Sequence, residues 1–286
     1  MAANSSTDLE DFPLSPRGSV SGEAFYEAFL QGQELFTQLP RNLIHDPYID
    51  LHALVKELVA ARAGTSTLFR RRVDADEALT RFWLSKARAN AQWAVILNEI
   101  PQFQGIAIKD LREIGQASAD VEALPKLAGF FAERGIVLLY EPALPSMKLD
   151  GAVFTLDSGN PVVCLSLRYS RLDIFWFTLM HELSHVVLHQ EQLVVPITDD
   201  HDEESEDLIE RQADRLARDS LISRGDWRNC SAKYDQSESE VIEFAERVSV
   251  HPAIVAGRLR REWNKHDVFA KVLNAVNVRK VLFGHD

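Results

Sequence analysis

One segment constrains the fold more than any other. Residues 172–189, LDIFWFTLMHELSHVVLH, contain the motif HExxH, and apolar side chains recur in them at spacings of three and four, which predicts a helix. On a helix, His181 and His185 lie on one face about 6 Å apart along the axis, so both imidazoles reach one metal ion. Two neutral imidazoles suit Zn²⁺. The neighbouring carboxylate, Glu182, can take a proton from a water on that ion, which is the chemistry of peptide-bond hydrolysis.

The start of this helix and the meaning of its histidines are two further expectations. Ser170 followed by Asp173 predicts a capping box at the N-terminus. A short motif also arises by chance, and the alternative is a core helix whose two histidines are satisfied by ordinary hydrogen bonds. The helical context favours the metal site.

A catalytic zinc ion needs a third protein ligand and one open position. His189 lies about 12 Å along the axis from His181, so it is interpreted as a helix-end or supporting residue. Glu210 is the strongest candidate ligand. It shares a helix face with Asp214, which can accept a hydrogen bond from a ligand histidine. His201 and the acids of the loop around it remain as alternatives, as does the interpretation that Glu210 and Asp214 are merely exposed acids.

The composition excludes several classes of protein. With 286 residues and 46% hydrophobic content, the chain can bury the core of one large or two modest domains. Its net charge of −12 argues against a surface that binds nucleic acid as a whole. Cys164 and Cys230 are too few for a disulfide framework, and residues 1–20 do not read as a secretory signal. Since no stretch approaches the about 18 apolar residues of a membrane span, we expect a cytoplasmic protein with no membrane partner.

The remaining patterns predict an α+β fold that is mostly helical. Helices are expected between residues 21 and 40, after Pro47, over residues 74–100, 108–114, 121–133 and 204–221, and as two short helices after Glu238. A buried strand at residues 136–140 and a hairpin formed by residues 152–156 and 162–167 predict a small antiparallel three-stranded sheet. This sheet leads directly into the HExxH helix and is expected to pack on it.

Three charged stretches leave alternatives open. The basic run 69–72 is interpreted as a solvated turn, and its alternative is a contact with a single-stranded nucleic acid that activates the protein. The acidic run 199–207 is interpreted as a solvated surface loop, and its alternative is a role in loading a cation. The two C-terminal helices have the rhythm of a helix-turn-helix, in which Arg258, Arg260 and Arg261 would contact phosphates. The favoured interpretation is a packing appendage.

The segment HELSHVVLH, the preceding residues LDGAVFTLDSGNPVVCLSLRYSRLDIFWFTLM and the following ERQADRLA together resemble the ImmA/IrrE family of zinc metallopeptidases. More narrowly, they resemble the peptidase domain of HigA-type antitoxins and related regulators. The resemblance runs from about Leu68 to Leu282 and implies a zincin-like arrangement.

The resemblance also implies roles for particular residues. His181, His185 and Glu210 are expected to hold Zn²⁺, with Glu182 as the catalytic glutamate and Asp214 where the family has Asn or Asp. Composition and apolar spacing divide the chain into a flexible tail at 1–20, a helical N-terminal region at 21–117, a core at 118–235 that the resemblance identifies as a zinc metallopeptidase, and a C-terminal helical region at 236–286.

The function implied by the resemblance is a zinc endopeptidase. Its substrate is expected to be a DNA-binding repressor or antitoxin encoded nearby, cleaved in a stress, toxin–antitoxin or phage-defence response. This chain shows no helix-turn-helix at its N-terminus, which favours a stand-alone protease. The alternative is a non-proteolytic, HigA-like regulatory binding protein with a structural zinc site.

Two hypotheses concern the surroundings of the zinc ion. Residues 162–167 are predicted to pair with an extended substrate as an added strand. The thiolate of Cys164 is a candidate inhibitory cap on the zinc ion, and the alternative is a cysteine packed as a small hydrophobic residue.

Overall fold

The predicted class, a mostly helical α+β fold, is confirmed. The computed structural model describes residues 21–62, 76–191, 193 and 203–284. The strands are β1 (Val137–Tyr140), β2 (Gly151–Thr155) and β3 (Pro161–Leu165). The α-helices are α1 (Gly22–Gln38), α2 (Pro47–Arg62), α3 (Glu77–Leu97), α4 (Ile108–Gln116), α5 (Leu127–Ala132), α6 (Leu172–Leu188), α7 (Glu203–Leu221), α8 (Arg224–Arg228), α9 (Glu238–Val248), α10 (Pro252–Trp263), α11 (Ala270–Leu273) and α12 (Val278–Phe283).

The sheet is mixed, so the prediction of a purely antiparallel sheet is wrong for one strand pair. The strand order is β1-β3-β2. The predicted hairpin forms, with β2 and β3 antiparallel, and its turn uses Gly159 in the left-handed region at φ +84°. The strand β1 instead lies parallel to β3. The reason is topological, because residues 141–150 carry the chain from one edge of the sheet to the other, which leaves β3 in the centre.

Both faces of the sheet are covered by helices. Val163 and Leu165 belong to the same buried cluster as the apolar side chains of α6. The intervening residues Val162 and Cys164 belong to a second cluster that contains Trp83 of α3. Because successive side chains of a strand point to opposite faces, the sheet forms a middle layer between α6 and α3.

The N-terminal helices are tied to the sheet by a buried ion pair. Glu57 of α2 contacts Arg88 of α3, and both side chains are almost completely buried. Arg88 also donates a hydrogen bond to the backbone oxygen of Thr155 in β2, at 3.1 Å, and stacks on the ring of Phe154. The predicted division of the chain at residues 20, 117 and 235 stays a prediction.

The C-terminal helices pack against α6. Both predicted helices form, and α9 ends at Ser249, which has a left-handed backbone, just before Pro252 opens α10. The buried side chains of α10 join the cluster around α6, and Gly257 approaches Asp173 so closely that a side chain at position 257 has no room. The helix α10 is therefore a wall against the HExxH helix.

One predicted helix is divided. Residues 121–133 form a 3₁₀ helix, Val121–Lys126, followed by α5, because Pro125 lies within the segment and lacks the backbone N–H that a continuous α-helix requires.

Some expectations fall on other parts of the chain. The tail at residues 1–20, the basic run 69–72, and the beginning of the acidic run with His201 lie outside the described residues. Within the described residues, no helix is both long and apolar enough to cross a membrane.

Candidate metal centre

The helix α6 has one face in the core and the other toward α7. Trp176, Leu179 and Leu183 are fully buried against the sheet and neighbouring helices. The predicted capping box is absent, because Arg171 is the residue before the helix and Asp173 accepts hydrogen bonds from its guanidinium at 2.9 and 2.5 Å. The apolar face fixes the rotation of α6, and this rotation turns the HExxH side chains toward α7.

The helix α7 runs antiparallel to α6 and brings Glu210 to both histidines. The Nε2 atoms of His181 and His185 lie 3.2 Å apart, and each is 3.3 Å from one carboxylate oxygen of Glu210. Candidate ligand atoms of the three residues all lie within 4.8 Å of one another. Among the described residues, this is the one group of three or more His, Cys, Asp or Glu side chains whose ligand atoms lie so close together.

The donor set fits a divalent transition-metal ion. Two imidazole nitrogens and one carboxylate oxygen match the three protein ligands of His₂Glu zinc sites. Glu210 Oε2 is buried and accepts no well-aligned hydrogen bond from the described residues, although His181 Nε2 lies 3.3 Å from it. Two facing Nε2 lone pairs next to an unsatisfied carboxylate oxygen are stabilised by a cation placed between them.

Asp214 holds the ring of His181. The Nδ1 atom of His181 lies 3.0 Å from Asp214 Oδ1. An ionised carboxylate only accepts hydrogen bonds, so His181 donates from Nδ1. In the neutral form that a metal ligand must have, its Nε2 then presents a lone pair toward Glu210. The structure thus brings Asp214 to the place that the spacing of residues 210 and 214 predicted.

A second relay orients His185. Its Nδ1 lies 3.0 Å from Nδ1 of His189, and His189 Nε2 lies 3.0 Å from Oε1 of Gln212. Because the amide oxygen accepts, His189 carries its hydrogen on Nε2 and accepts at Nδ1 from His185. The Nε2 lone pair of His185 is therefore also free toward Glu210. His189 is the residue that ends α6, in agreement with its interpretation as a supporting residue, whereas no sequence signal pointed to Gln212.

Packing and charge shift the pKa values of these groups in the metal-free protein. Burial alone would lower the pKa of His181, but its contacts with Asp214 and Glu210 raise it to about 10. Burial lowers the pKa of His185. Burial alone would raise the pKa of Glu210, but the contacts with both histidines lower it below the usual range of a glutamate. Glu210 is thereby kept as an anion facing two nitrogen ligands.

Glu182 is a buried carboxylate beside the three ligands. It is 2% exposed, and its Oε2 atom has no hydrogen-bond partner. Burial raises its pKa to about 8, with His181 opposing this and Glu210 and Asp150 adding to it. A Cβ atom on Gly151 of β2 would lie 2.7 Å from Glu182 Oε1, so the strand approaches the helix here only because residue 151 is a glycine. The sequence carried no signal for this role of Gly151.

A cleft of about 660 Å³ opens beside the centre. Its floor is the face of α6 that carries Ile174, Phe177 and Thr178 together with His181 and Glu182. One wall is formed by residues 148–151, which precede and begin β2. The other wall is formed by α10 and the last turns of α7.

The structure does not bring Cys164 to this centre. The thiol is fully buried in the cluster that faces α3, on the opposite side of the sheet from α6. Burial raises its pKa well above the usual value, which disfavours the thiolate that a cap on a metal ion requires. The arrangement matches a cysteine packed as a small hydrophobic residue.

Two histidines and a glutamate that converge from antiparallel helices, with a further buried glutamate beside them, define a metallopeptidase-like site. The family model of the IrrE N-terminal-like domain matches residues 131–260, which include every residue of this site. These residues resemble that peptidase domain, and the predicted resemblance to the ImmA/IrrE family is confirmed. Searches of curated proteins and of solved structures gave no match.

Proposed function

We propose that the protein is a zinc-dependent endopeptidase in which His181, His185 and Glu210 hold Zn²⁺. The observation that carries the proposal is the position of Glu182, a buried carboxylate with one unpartnered oxygen directly beside the three-ligand group. A structural zinc site is closed by four protein ligands and needs no such group. The match of residues 131–260 to a peptidase family supports the same reaction.

The side chains of the centre divide the work of hydrolysis. A bound zinc ion supplies Lewis acidity, which polarises the carbonyl group of the scissile bond. Glu182 accepts a proton at Oε2 from the water whose oxygen attacks the carbonyl carbon. It returns that proton to the amine nitrogen as the C–N bond breaks. Asp214 and His189 hold the two imidazoles in place, so their lone pairs do not have to reorient.

The strand that receives the substrate differs from the one predicted. Residues 162–167 do not pair with a substrate, because β3 lies between β1 and β2 and both of its edges are already hydrogen-bonded. In β2, residues 152–154 are buried, and only Gly151 and the residues before it line the cleft. An extended substrate is therefore expected to pair along residues 148–151, directly beside Glu182.

The substrate in this proposal is a DNA-binding repressor or antitoxin encoded near the protein, cleaved in a stress or phage-defence response. This class of substrate comes from the resemblance of the HExxH region to ImmA/IrrE peptidases and HigA-type regulators, whereas the family match of residues 131–260 supports the peptidase reaction alone. We place the reaction in the cytoplasm. Both cysteines are buried as free thiols, which suits a reducing compartment.

The test compares wild type with Glu182→Gln, each co-expressed with the product of the neighbouring gene. The substitution removes the proton acceptor and leaves the three candidate ligands in place, so the zinc content should stay at one ion per chain. We expect the neighbour to be cleaved by wild type alone, with the cut located by mass spectrometry. His181→Ala should lose both zinc and cleavage.

A different outcome would favour the regulatory alternative. If the neighbour remains intact and binds wild type and Glu182→Gln equally, the protein acts as a binding module with a structural zinc site. Loss of zinc from Glu182→Gln would instead contradict the assignment of Glu182 as a residue that does not ligate the ion.

A further inference from the structure

The cleft beside the metal centre is basic, although the chain as a whole carries a net charge of −12. Among the described residues, three carboxylates line it, Asp150, Asp173 and Glu182. Two of them are already neutralised, because Asp150 pairs with Arg168 at 3.0 Å and Asp173 pairs with Arg171. The basic side chains that line the cleft are Lys148, Arg171, Arg218, Arg258, Arg260 and Arg261.

Arg218 and Arg260 lie toward the same end of α6 from the metal centre. On α7, Arg218 follows Glu210 by eight residues, which places it about 12 Å farther along the helix axis. Because α7 runs antiparallel to α6, this direction leads toward the N-terminal half of α6, past Phe177. The helix α10 packs along the same half, with Gly257 against Asp173, and contributes Arg260.

The arginines of α10 therefore line the cleft. The sequence of α9 and α10, two short helices joined by a tight turn, resembles a helix-turn-helix. This raised the alternative that Arg258, Arg260 and Arg261 contact nucleic-acid phosphates. The structure places all three in the wall of the cleft, on a helix whose apolar face is buried against α6. A helix packed in this way does not present its face to the groove of a duplex.

Two of the arginines are not committed to carboxylates. Arg258 pairs with Glu262, and Arg261 lies 3.7 Å from Asp214. Within the part of the chain that the structure describes, Arg218 and Arg260 form no ion pair within 4.0 Å, although Asp173 and Asp267 lie near enough to Arg260 to interact with its charge. Arg260 uses Nε for the backbone oxygen of Val268, which leaves both terminal nitrogens for another acceptor.

We infer that this half of the cleft binds an acidic polypeptide segment, in which Asp or Glu side chains pair with Arg218 and Arg260. An extended peptide advances about 3.3 Å per residue, so the 12 Å offset places the acidic residue about three or four positions from the scissile bond. A guanidinium with both terminal nitrogens free binds a carboxylate through two parallel hydrogen bonds. The inference rests on the proposed peptidase function and specifies its substrate.

The floor of the cleft favours a peptide over a nucleic acid. Ile174 and Phe177 line it from α6, and Ile254 lines it from α10, so apolar side chains are accommodated between the charged positions. Residues 148–151 lie along the opposite wall, where a peptide main chain can pair with them. The phosphate backbone of a nucleic acid has neither apolar side chains to pack on this floor nor a peptide main chain to pair with residues 148–151.

Binding is tested first on Glu182→Gln loaded with zinc, so that no turnover interferes. The probes are two fluorescein-labelled peptides of equal length, one with Glu at the third and fourth positions from its centre and one with Gln there. We expect fluorescence anisotropy to show that the Glu peptide binds about tenfold more tightly. The reason is that the Gln peptide cannot form the charge-assisted hydrogen bonds with the two arginines. This difference should shrink as sodium chloride rises from about 0.05 to about 0.5 M, since salt screens charge pairs at the surface.

Variants locate the effect. Replacing Arg218 and Arg260 by Gln should abolish the preference for the Glu peptide, whereas replacing both by Lys should retain most of it. The matched control replaces Arg41 and Arg228 by Gln, since both side chains are exposed and neither lines the cleft. That control should keep the full preference.

Several results would overturn the inference. These are equal affinity for the two peptides, a preference that survives replacement of Arg218 and Arg260 by Gln, or a single-stranded oligonucleotide that binds this cleft when the Glu peptide does not. If the Gln variants fail to fold, the salt dependence measured for the unaltered cleft still decides the question.

The inference and the proposed function fail in different ways. If wild type cleaves the Glu and Gln peptides with equal kcat/KM, the inferred preference for acidic substrates is wrong and the proposed peptidase function still holds. Selective binding of the Glu peptide without any cleavage would retain the acidic specificity and remove the peptidase.

Discussion

At the scale of single residues, the candidate centre depends on which nitrogen of each imidazole carries the hydrogen. The carboxylate of Asp214 determines this for His181, and the relay from Gln212 through His189 determines it for His185. The acceptor for His181 is the anionic carboxylate of Asp214, and the acceptor for His185 is the neutral ring of His189. When both imidazoles are neutral, each presents an unprotonated Nε2 toward Glu210, which is the arrangement that a metal ion requires of its histidine ligands.

The relay through His189 predicts a change in metal affinity. His189→Phe keeps a ring at this buried position but removes the acceptor for His185 Nδ1, so we expect zinc to bind about 10- to 100-fold more weakly. His189→Asn supplies an acceptor again and should recover much of the affinity. The measurement is competition for zinc against a chromophoric chelator, and wild-type affinity in His189→Phe would show that the relay has no role.

The residue scale also shows what local sequence conveys. Asp214 was predicted because it stands four residues after Glu210 on the same helix, where spacing alone implies a shared face. Gln212 escaped prediction because its partner, His189, lies on another helix. No periodicity within α7 indicates a contact whose geometry depends on how two helices pack.

At the scale of elements, the width of the cleft beside the metal centre depends on how closely β2 approaches α6. Glu182 and Thr178 of α6 both lie within van der Waals distance of the space that a side chain at Gly151 would occupy. The strand β3 is central, so β2 is the strand whose beginning faces the cleft. The missing side chain of one glycine therefore sets the distance between the wall and the floor of the site.

This contact predicts a selective loss of activity. Gly151→Ala places a methyl group 2.7 Å from Glu182 Oε1, so the carboxylate must shift, and we expect kcat/KM to fall about 100-fold while zinc content is unchanged. Gly129→Ala is the matched control, because nothing lies within 4 Å of its added atom. Activity is measured on the peptide or protein that wild type cleaves, and equal activity in the two variants would contradict this role of Gly151.

Strands and helices were predictable to different degrees. Helix positions and the hairpin followed from apolar spacing and from the turn around Gly159, which are local properties. The direction of β1 relative to β3 did not follow, because it depends on where residues 141–150 cross the sheet. The predicted substrate strand was wrong for the same reason.

At the scale of the whole molecule, a buried polar contact joins the N-terminal helices to the sheet. Arg88 reaches from α3 to Glu57 of α2 and to the backbone of Thr155 in β2. Both charged side chains are buried, so each depends on the other for compensation. This pair couples α2 and α3 to the layer that carries the metal centre.

The coupling predicts a pattern in stability. Arg88→Met leaves the carboxylate of Glu57 buried without its main partner, and we expect a loss of about 3–5 kcal/mol in the free energy of unfolding. Replacing both residues, Glu57→Leu with Arg88→Met, removes both charges and should cost less than Arg88→Met alone. Urea unfolding measures the losses in Arg88→Met, in Glu57→Leu and in the double variant, and a double variant that loses the sum of the two single losses would contradict the pairing.

The sequence by itself determined the HExxH helix, the mostly helical α+β class, and the family of residues 131–260. These follow from spacing within one segment and from motifs read along the chain. Only the tertiary structure decided that Glu210 lies between His181 and His185, that Gln212 supports His189, that β3 is central, and that Arg218 and Arg260 face the cleft. The physical reason is that each of these contacts joins residues of different elements. Their positions depend on the packing of α6, α7, α10 and the sheet as one structure.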